Sequence, residues 1–382
     1  MQIPFSEIRS WMFDHALPLW ANNGVDPLGG FIEALDFEGQ PAPLPFKRTR
    51  VACRQTYVFA HAAELGWAPG LELSRRGAEF LESVRLGPRE GWPRRLAPDN
   101  TALDTTPDLY DLAFVLFAFA WRFRATRDPH ALAGAHGVLD FIEARMRASA
   151  GGFWHELPPQ GWRLQNPHMH LVEASLVAFG ASGDSRFLDV ATELVGLFST
   201  RFFDGRTLAE YFTEALERAP VEKGREVEPG HQLEWAWILV QFQQLAGRET
   251  SDLATSLVDF AERFGVDRTS HVTYQLVRDD GTALDKGSRT WPNTERIKGH
   301  LALFEAVGRD PRAAVAGSAR LLLDRYLATD VPGLWIDHFD ANGTPVAKDV
   351  PASTLYHVFL AFAEILRLEG RIRALDRAAA LA

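Results

Sequence analysis

Apolar positions along the chain fall into two kinds of helix-length segment, separated by short stretches that alternate with a period of two. Residues 4–21 open the series, with Ile8, Trp11, Met12 and Leu19 among the apolar positions of a helix. The next stretch, GGFIEALDFEGQP at 29–41, alternates apolar and polar and turns at Glu38-Gly39, as a small hairpin does. Comparable pieces follow: GWPRRLAPDN at 91–100, GGFWHELPPQGW at 151–162, LAEYFTEAL at 208–216, HVTYQLVRDDGTAL at 271–284 and GLWIDHFDANGTPV at 333–346. Six such pieces set the period of the chain.

Each piece leads into a segment too apolar or aromatic all round for a surface helix: 51–66, 106–126, 167–181, 230–246, 292–306 and 353–369. Between them lie one-sided helices, at 70–86, 128–148, 183–202, 250–265 and 310–328. With the first helix these make twelve. Six buried and six covering helices predict an all-α fold, an (α/α)6 barrel formed by residues 1–382 as one domain, with short β-hairpins at one mouth. An open helical solenoid is the alternative; six units with aromatic-rich inner helices favour closure.

In a closed barrel the parallel inner helices start at the same mouth, and their opening turns gather there. Those turns read KRTRVACRQTY, DTTPDLYDLAF, NPHMHLVEAS, EPGHQLEWAW, WPNTERIKGH and PASTLYHVFL. Pro107, Pro167, Pro229 and Pro292 suit first helical turns, and Asn166 and Ser353 or Thr354 suit N-caps. His170, His231 and His357 each open a different inner helix, so they converge on one cavity. Glu234 follows His231 by three residues, on the same face. At such a helix start the dipole holds an imidazole neutral and favours an anion formed beside it. A lone histidine there is as readily a structural one; three at equivalent positions favour a site.

Composition narrows the partners. The 382 residues carry a formal net charge of −10, with no basic stripe to neutralise phosphates, so nucleic acid is excluded. Cys53 is the only cysteine, which forbids an intrachain disulfide and fits a reducing compartment. The longest apolar run, AFVLFAFAW at 113–121, is far too short to span a bilayer, and the N-terminus lacks a signal-peptide pattern. A cytoplasmic protein is expected, with no membrane partner; its composition is compatible with a homodimer.

Other chemistries are weaker. Asp104, Asp108 and Asp111 offer the paired carboxylates of glycoside hydrolysis, but Asp is favoured near a helix start for the dipole alone. Phosphate-loop, dinucleotide and nucleophile-elbow motifs are missing from the sequence. Metal binding is the second choice, because no tight ligand spacing is visible and His168 and His170 face apart. The coherent chemistry left is proton transfer by histidines, with Arg50 supporting a developing oxyanion.

These openings resemble the N-acylglucosamine 2-epimerase superfamily, in its mannose isomerase and mannose (cellobiose) 2-epimerase branch. The matching pieces, from GGFIEALDFEGQP to PASTLYH, run in order from about residue 29 to 357. Where family members often read R-V-x-x-Q-A-R, this chain has Arg50-Val-Ala-Cys53-Arg54, keeping the arginines. The resemblance implies the (α/α)6 barrel and acid/base catalysis on a free monosaccharide, with no metal, nucleotide or other cofactor. It makes His231 and His357 the acid/base pair, with Glu234 supporting His231 and Arg50 at the sugar's reacting end. His170, Asn166, Asp108, Trp291 and Glu295 form the expected substrate-binding set. The implied reaction interconverts D-mannose and D-fructose through a cis-enediolate. A 2-epimerase acting on D-mannose and D-glucose shares that intermediate. A glycoside hydrolase or a non-catalytic sugar-binding protein stand further off.

Overall fold

The architecture follows from where the buried stripes must go. In the computed structural model, which describes residues 2–381, the one-sided segments form an outer layer and the all-round apolar ones an inner layer. The first outer helix, α1, runs Phe5–Ser10, continues through a wide π turn at Trp11–Ala16 and ends as Leu17–Asn23. The inner helices are α2 (Thr49–Glu64), α4 (Leu109–Thr126), α6 (Asn166–Ser182), α8 (Pro229–Ala246), α10 (Thr290–Val307) and α12 (Leu355–Leu381). The remaining outer helices are α3 (Pro69–Ser83), α5 (Pro129–Arg145), α7 (Ser185–Leu197), α9 (Ser251–Phe260) and α11 (Arg312–Leu321). The last three each finish in a π turn, a feature that repeats with the unit.

Each inner helix packs on the next in the series, and α12 returns to pack on α2. That last contact closes the ring and removes the solenoid alternative: the fold is an (α/α)6 barrel. Aromatic rings plug its axis. Tyr57, Phe114, Phe117 and Tyr356 come from three inner helices, and the Tyr57 and Phe117 centroids lie 4.7 Å apart. Tilted and edge-on pairs of this kind add attraction to the area they bury. No helix is long and apolar enough to cross a membrane among the described residues.

The predicted hairpins are partly redistributed. Arg95–Leu96 with Ala102–Asp104, and Leu276–Arg278 with Ala283–Asp285, are local hairpins. Other pieces pair across units as well: Arg163–Leu164 with Tyr211–Phe212, Ser288–Arg289 with His338–Phe339, and Ala34–Leu35 with Val350–Pro351, while Leu35, Phe212 and Phe339 also bridge Pro41, Arg218 and Pro345 across the predicted turns. Strands of two or three residues leave most of their backbone groups unmet alone, and a neighbouring unit supplies the partners. The last pair joins the two ends of the chain and laces the mouth shut above α2 and α12.

Two predicted caps are corrected. Asn166 is the first residue of α6 rather than its cap, and no side-chain cap bond forms there. Ser353 and Thr354 lie in a short 3-10 turn before α12, where the Thr354 hydroxyl donates to Asp337 at 2.6 Å.

Candidate active site

The inner-helix starts enclose a cavity of about 640 Å³ at the laced mouth, within the range of small-ligand sites. Arg50, Asn166, His170, His231, Glu234, Trp291 and His357 all line it. Seven of the nine predicted site residues thus share one cavity, although they come from five helices spread over three hundred residues of chain.

The EPGH opening shows how the local sequence builds its part. Pro229 takes the first position of α8, where its missing N–H costs nothing. A Cβ on Gly230 would lie 2.5 Å from the Trp291 ring, so only glycine lets the indole lie against this turn. His231 follows, its ring centroid 5.1 Å from that indole. His357, from the start of α12, packs against the same indole at 5.6 Å. The two imidazoles therefore share one aromatic wall.

Each imidazole is braced at Nδ1 by a carboxylate. His357 Nδ1 lies 2.8 Å from Glu295 Oε1, and His231 Nδ1 lies 2.9 Å from Glu210 Oε2 and 3.6 Å from Glu228. His170 repeats the motif with Glu173 at 3.1 Å. A carboxylate at Nδ1 fixes the ring and leaves Nε2 for the cavity. Among the described residues, no hydrogen bond engages Nε2 of His231 or His357.

Their charge states differ. Burial opposes a charge on His231, but the Glu210 and Glu228 carboxylates outweigh it and raise the imidazole to about 10. Burial, with Arg54 and Lys298 adding to it, pushes His357 well below the ordinary range. One ring is held as a proton donor and the other as a proton acceptor. The expectation that a helix start keeps His231 neutral is corrected: the Glu210 carboxylate, with Glu228 adding to it, outweighs a partial dipole charge.

Glu234 is corrected as well. It lines the cavity and its charge adds to the rise of His231, but it makes no bond to that ring; it pairs with Lys298 Nζ at 3.8 Å. The support comes from Glu210, in the LAEYFTEAL piece twenty-one residues upstream, which also receives a bond from Gln165 Nε2 at 2.9 Å. No sequence spacing pointed to Glu210, because the pairing is made by the fold. Glu173 and Lys298 were also missed, though each sits three residues after a group that was read, His170 and Glu295.

Arg50 lines the cavity with its Nε 2.6 Å from Asp111 and its guanidinium over the Tyr110 ring. Burial pushes Asp111 up to about 7 against the pull of Arg50. Arg54 joins Arg50 at the same wall, donating to the Tyr110 hydroxyl at 2.6 Å. Glu295 lies behind His357 and does not line the cavity. Asp108 does not line it either. Its carboxylate caps α4 through the Asp111 N–H and pairs with Arg94 at 2.8 Å. The dipole and the cap, together with Arg94, fully account for it.

Three sets of donors come within 4.8 Å of one another: His170, Glu173 and Glu234; Glu210, Glu228 and His231; Glu234, Glu295 and His357. The fold assembles these from separate helices, which linear spacing could not reveal. Their chemistry suits proton work better than a cation. In each set the histidine Nδ1 is spent on a carboxylate, and Lys298 Nζ stands 2.6 Å from Glu295 where a positive charge is wanted.

A donor and an acceptor imidazole, an arginine and an indole around one polar cavity, at the helix starts of an (α/α)6 barrel, suit the chemistry of a sugar isomerase or epimerase. The family model for N-acylglucosamine 2-epimerase matches residues 30–361, and the chain belongs to that family. It is 35% identical over 371 residues to a "Mannose-6-phosphate isomerase" of Rhizobium meliloti (strain 1021), covering 94% of this chain and 96% of the relative. It is 30% identical to a "D-mannose isomerase" of Thermobifida fusca, covering 78% and 79%. A solved "D-mannose isomerase" superposes with a TM-score of 0.86 at 20% identity, over 95% of this chain and 97% of that one. The chain is an enzyme of the sugar isomerase and epimerase class.

Proposed function

We propose that the enzyme interconverts D-mannose and D-fructose by proton transfer through a cis-enediolate. The observation that carries this reading is the pair of imidazoles against one indole, one protonated and one neutral, each braced at Nδ1 with Nε2 left for the same cavity. His231, as the imidazolium, gives a proton to the ring oxygen as the C1–O5 bond breaks, and the O1 hydroxyl proton returns to His231 as the C1 carbonyl forms. His357 Nε2 then takes the C2 proton, and the C2–H electrons become the C1–C2 double bond while negative charge moves onto O1. Arg50 stabilises that charge at the cavity wall. The proton on His357 returns to C1 while the O2 hydroxyl proton passes to O1, and the ketose results. Delivery of a proton to the opposite face of C2 would give D-glucose instead, the 2-epimerase outcome. Incubation with D-mannose and analysis of the products tests the reading: fructose supports it, and glucose alone replaces it with epimerisation.

A second substrate reading, the same reaction on the 6-phosphate, has two supports. One is the name of the Rhizobium meliloti relative. The other is Arg289 and Lys348, exposed at the cavity mouth and in no ion pair among the described residues. Comparing kcat/KM for mannose and mannose 6-phosphate decides between them. A phosphate preference that collapses in Arg289→Ala and Lys348→Ala would establish the phosphorylated substrate.

A further inference from the structure

Behind His357, on the side away from the sugar, lies a buried charge that the mechanism above does not use. Lys298 is on the third turn of α10, 0% exposed and outside the cavity lining. Its Nζ lies 2.6 Å from Glu295 Oε2, 3.8 Å from Glu234 Oε1 and 4.5 Å from the Trp237 ring centroid. The other oxygen of Glu295 is the one that braces His357, so a single carboxylate bridges lysine and imidazole. An unpaired lysine would be very costly here, and its position between two carboxylates offsets that cost.

We propose that Lys298 is a positioning residue that keeps Glu295 ionised, and so holds His357 as the tautomer with a bare, proton-accepting Nε2. The proposal rests on the proton-transfer reading of the site, but its main test does not need a substrate.

The argument is one of charge and tautomer. Three buried carboxylates crowd this region: Glu295 from α10, Glu234 from α8 and Glu173 from α6, the last held by the Tyr356 hydroxyl of α12 at 2.7 Å. Facing them are Lys298 itself, Arg54 from α2, His170 from α6 and His231 from α8. Burial, and then Glu234, leave Glu295 well above the ordinary carboxylate range even with Lys298 in contact, so its ionised form depends on the lysine charge 2.6 Å away. Removal of the lysine charge makes the cluster take up a proton, and two places are open to it. On Glu295, the new O–H donates to His357 Nδ1, and the ring hydrogen moves to Nε2. On His357, the ring becomes imidazolium, again with hydrogen on Nε2. Either way Nε2 ceases to be a base.

The test is nitrogen NMR of the full-length protein with 15N-labelled histidine, the His357 signal being assigned by its loss in His357→Asn. Wild type should show His357 neutral with bare Nε2 near pH 7.5. Lys298→Met and Lys298→Gln should both show hydrogen on Nε2, and Lys298→Arg should restore the wild-type signal. Gln keeps length and a hydrogen-bond donor without charge, so it separates charge from mere filling and carries the test if Met does not fold. In turnover, the charge-free variants should lose about 10²–10⁴ in kcat, the usual worth of a general base. KM should change only a few-fold, since Lys298 does not touch the sugar, and kcat should recover in part as the pH is raised. A wild-type His357 with hydrogen on Nε2, or a folded Gln variant whose Nε2 stays bare, overturns the proposal. If the wild type turns over no sugar while the NMR result holds, the sugar reading fails and the role of Lys298 stands.

Discussion

Glu210→Gln isolates the one electrostatic contact on which the acid role of His231 depends. The side chain keeps its size and can still accept at 2.9 Å, but it loses the charge that contributes most to raising the imidazole. Glu228 remains at 3.6 Å, yet burial pushes it up to about 7, so near neutrality it is only partly ionised and a poor substitute. Movement from about 10 to the ordinary 6.5 is about 5 kcal/mol of preference for the imidazolium. At pH 8 the wild-type ring is almost wholly protonated; at 6.5 the protonated fraction is about 3%, so kcat should fall about thirtyfold there. The loss grows about tenfold per pH unit above that and fades toward pH 6. The sign is that of a group with a raised folded pKa, whose protonated form is complete in acid and lost as pH rises. The assay is kcat against pH from 5.5 to 10 for both proteins. An alkaline limb that does not move in the variant would refute the imidazolium role of His231.

His357→Asn should cost about 10²–10⁴ in kcat with the fold intact by circular dichroism, and near-normal turnover would remove it from the mechanism. Asp111→Asn takes the charge from the Arg50 anchor at 2.6 Å, so KM should rise several-fold, and an unchanged KM would separate Arg50 from the substrate. Asp108→Ala should lower stability by about 1 kcal/mol through the lost cap and leave turnover nearly normal; abolished activity would revive the carboxylate-hydrolase chemistry. His168 is buried and receives the Phe153 N–H at its Nε2, and burial lowers it to about 3. Its unfolded form takes a proton below about 6.5 while the folded form does not, so stability should fall as pH drops from 6.5 toward 3. Urea melts at pH 4.5 and 7.5 check this, and His168→Gln should flatten the difference.

The helices were legible because their signal is local. A buried helix and a covering helix differ in how far apolar residues extend around them, and Leu109–Thr126 or Pro229–Ala246 show it within a few turns. Ring closure was legible only through the count of six, since the α12–α2 contact joins the chain's two ends. The turns were legible, as Leu35 bridging Pro41 shows, but the cross-unit ladders were not, because two-residue strands such as Ala34–Leu35 take a second partner from distant Val350–Pro351. In the site, His231, His357, Arg50 and Trp291 came out of the helix openings. The charge state of His231 did not, because it depends on Glu210, brought in by a different loop. Asp108 looked like a sugar ligand and is a cap, since the same residue type serves both purposes at a helix start.

In the proposed reaction a histidine carries a proton between C2 and C1. Incubation of the enzyme with D-mannose in D₂O and EDTA, followed by NMR of the products, tests it most directly. The account predicts D-fructose with deuterium at C1, and turnover undiminished by the chelator. Turnover that stops in EDTA and returns with added metal, or fructose formed with no deuterium after prolonged equilibration, would contradict it.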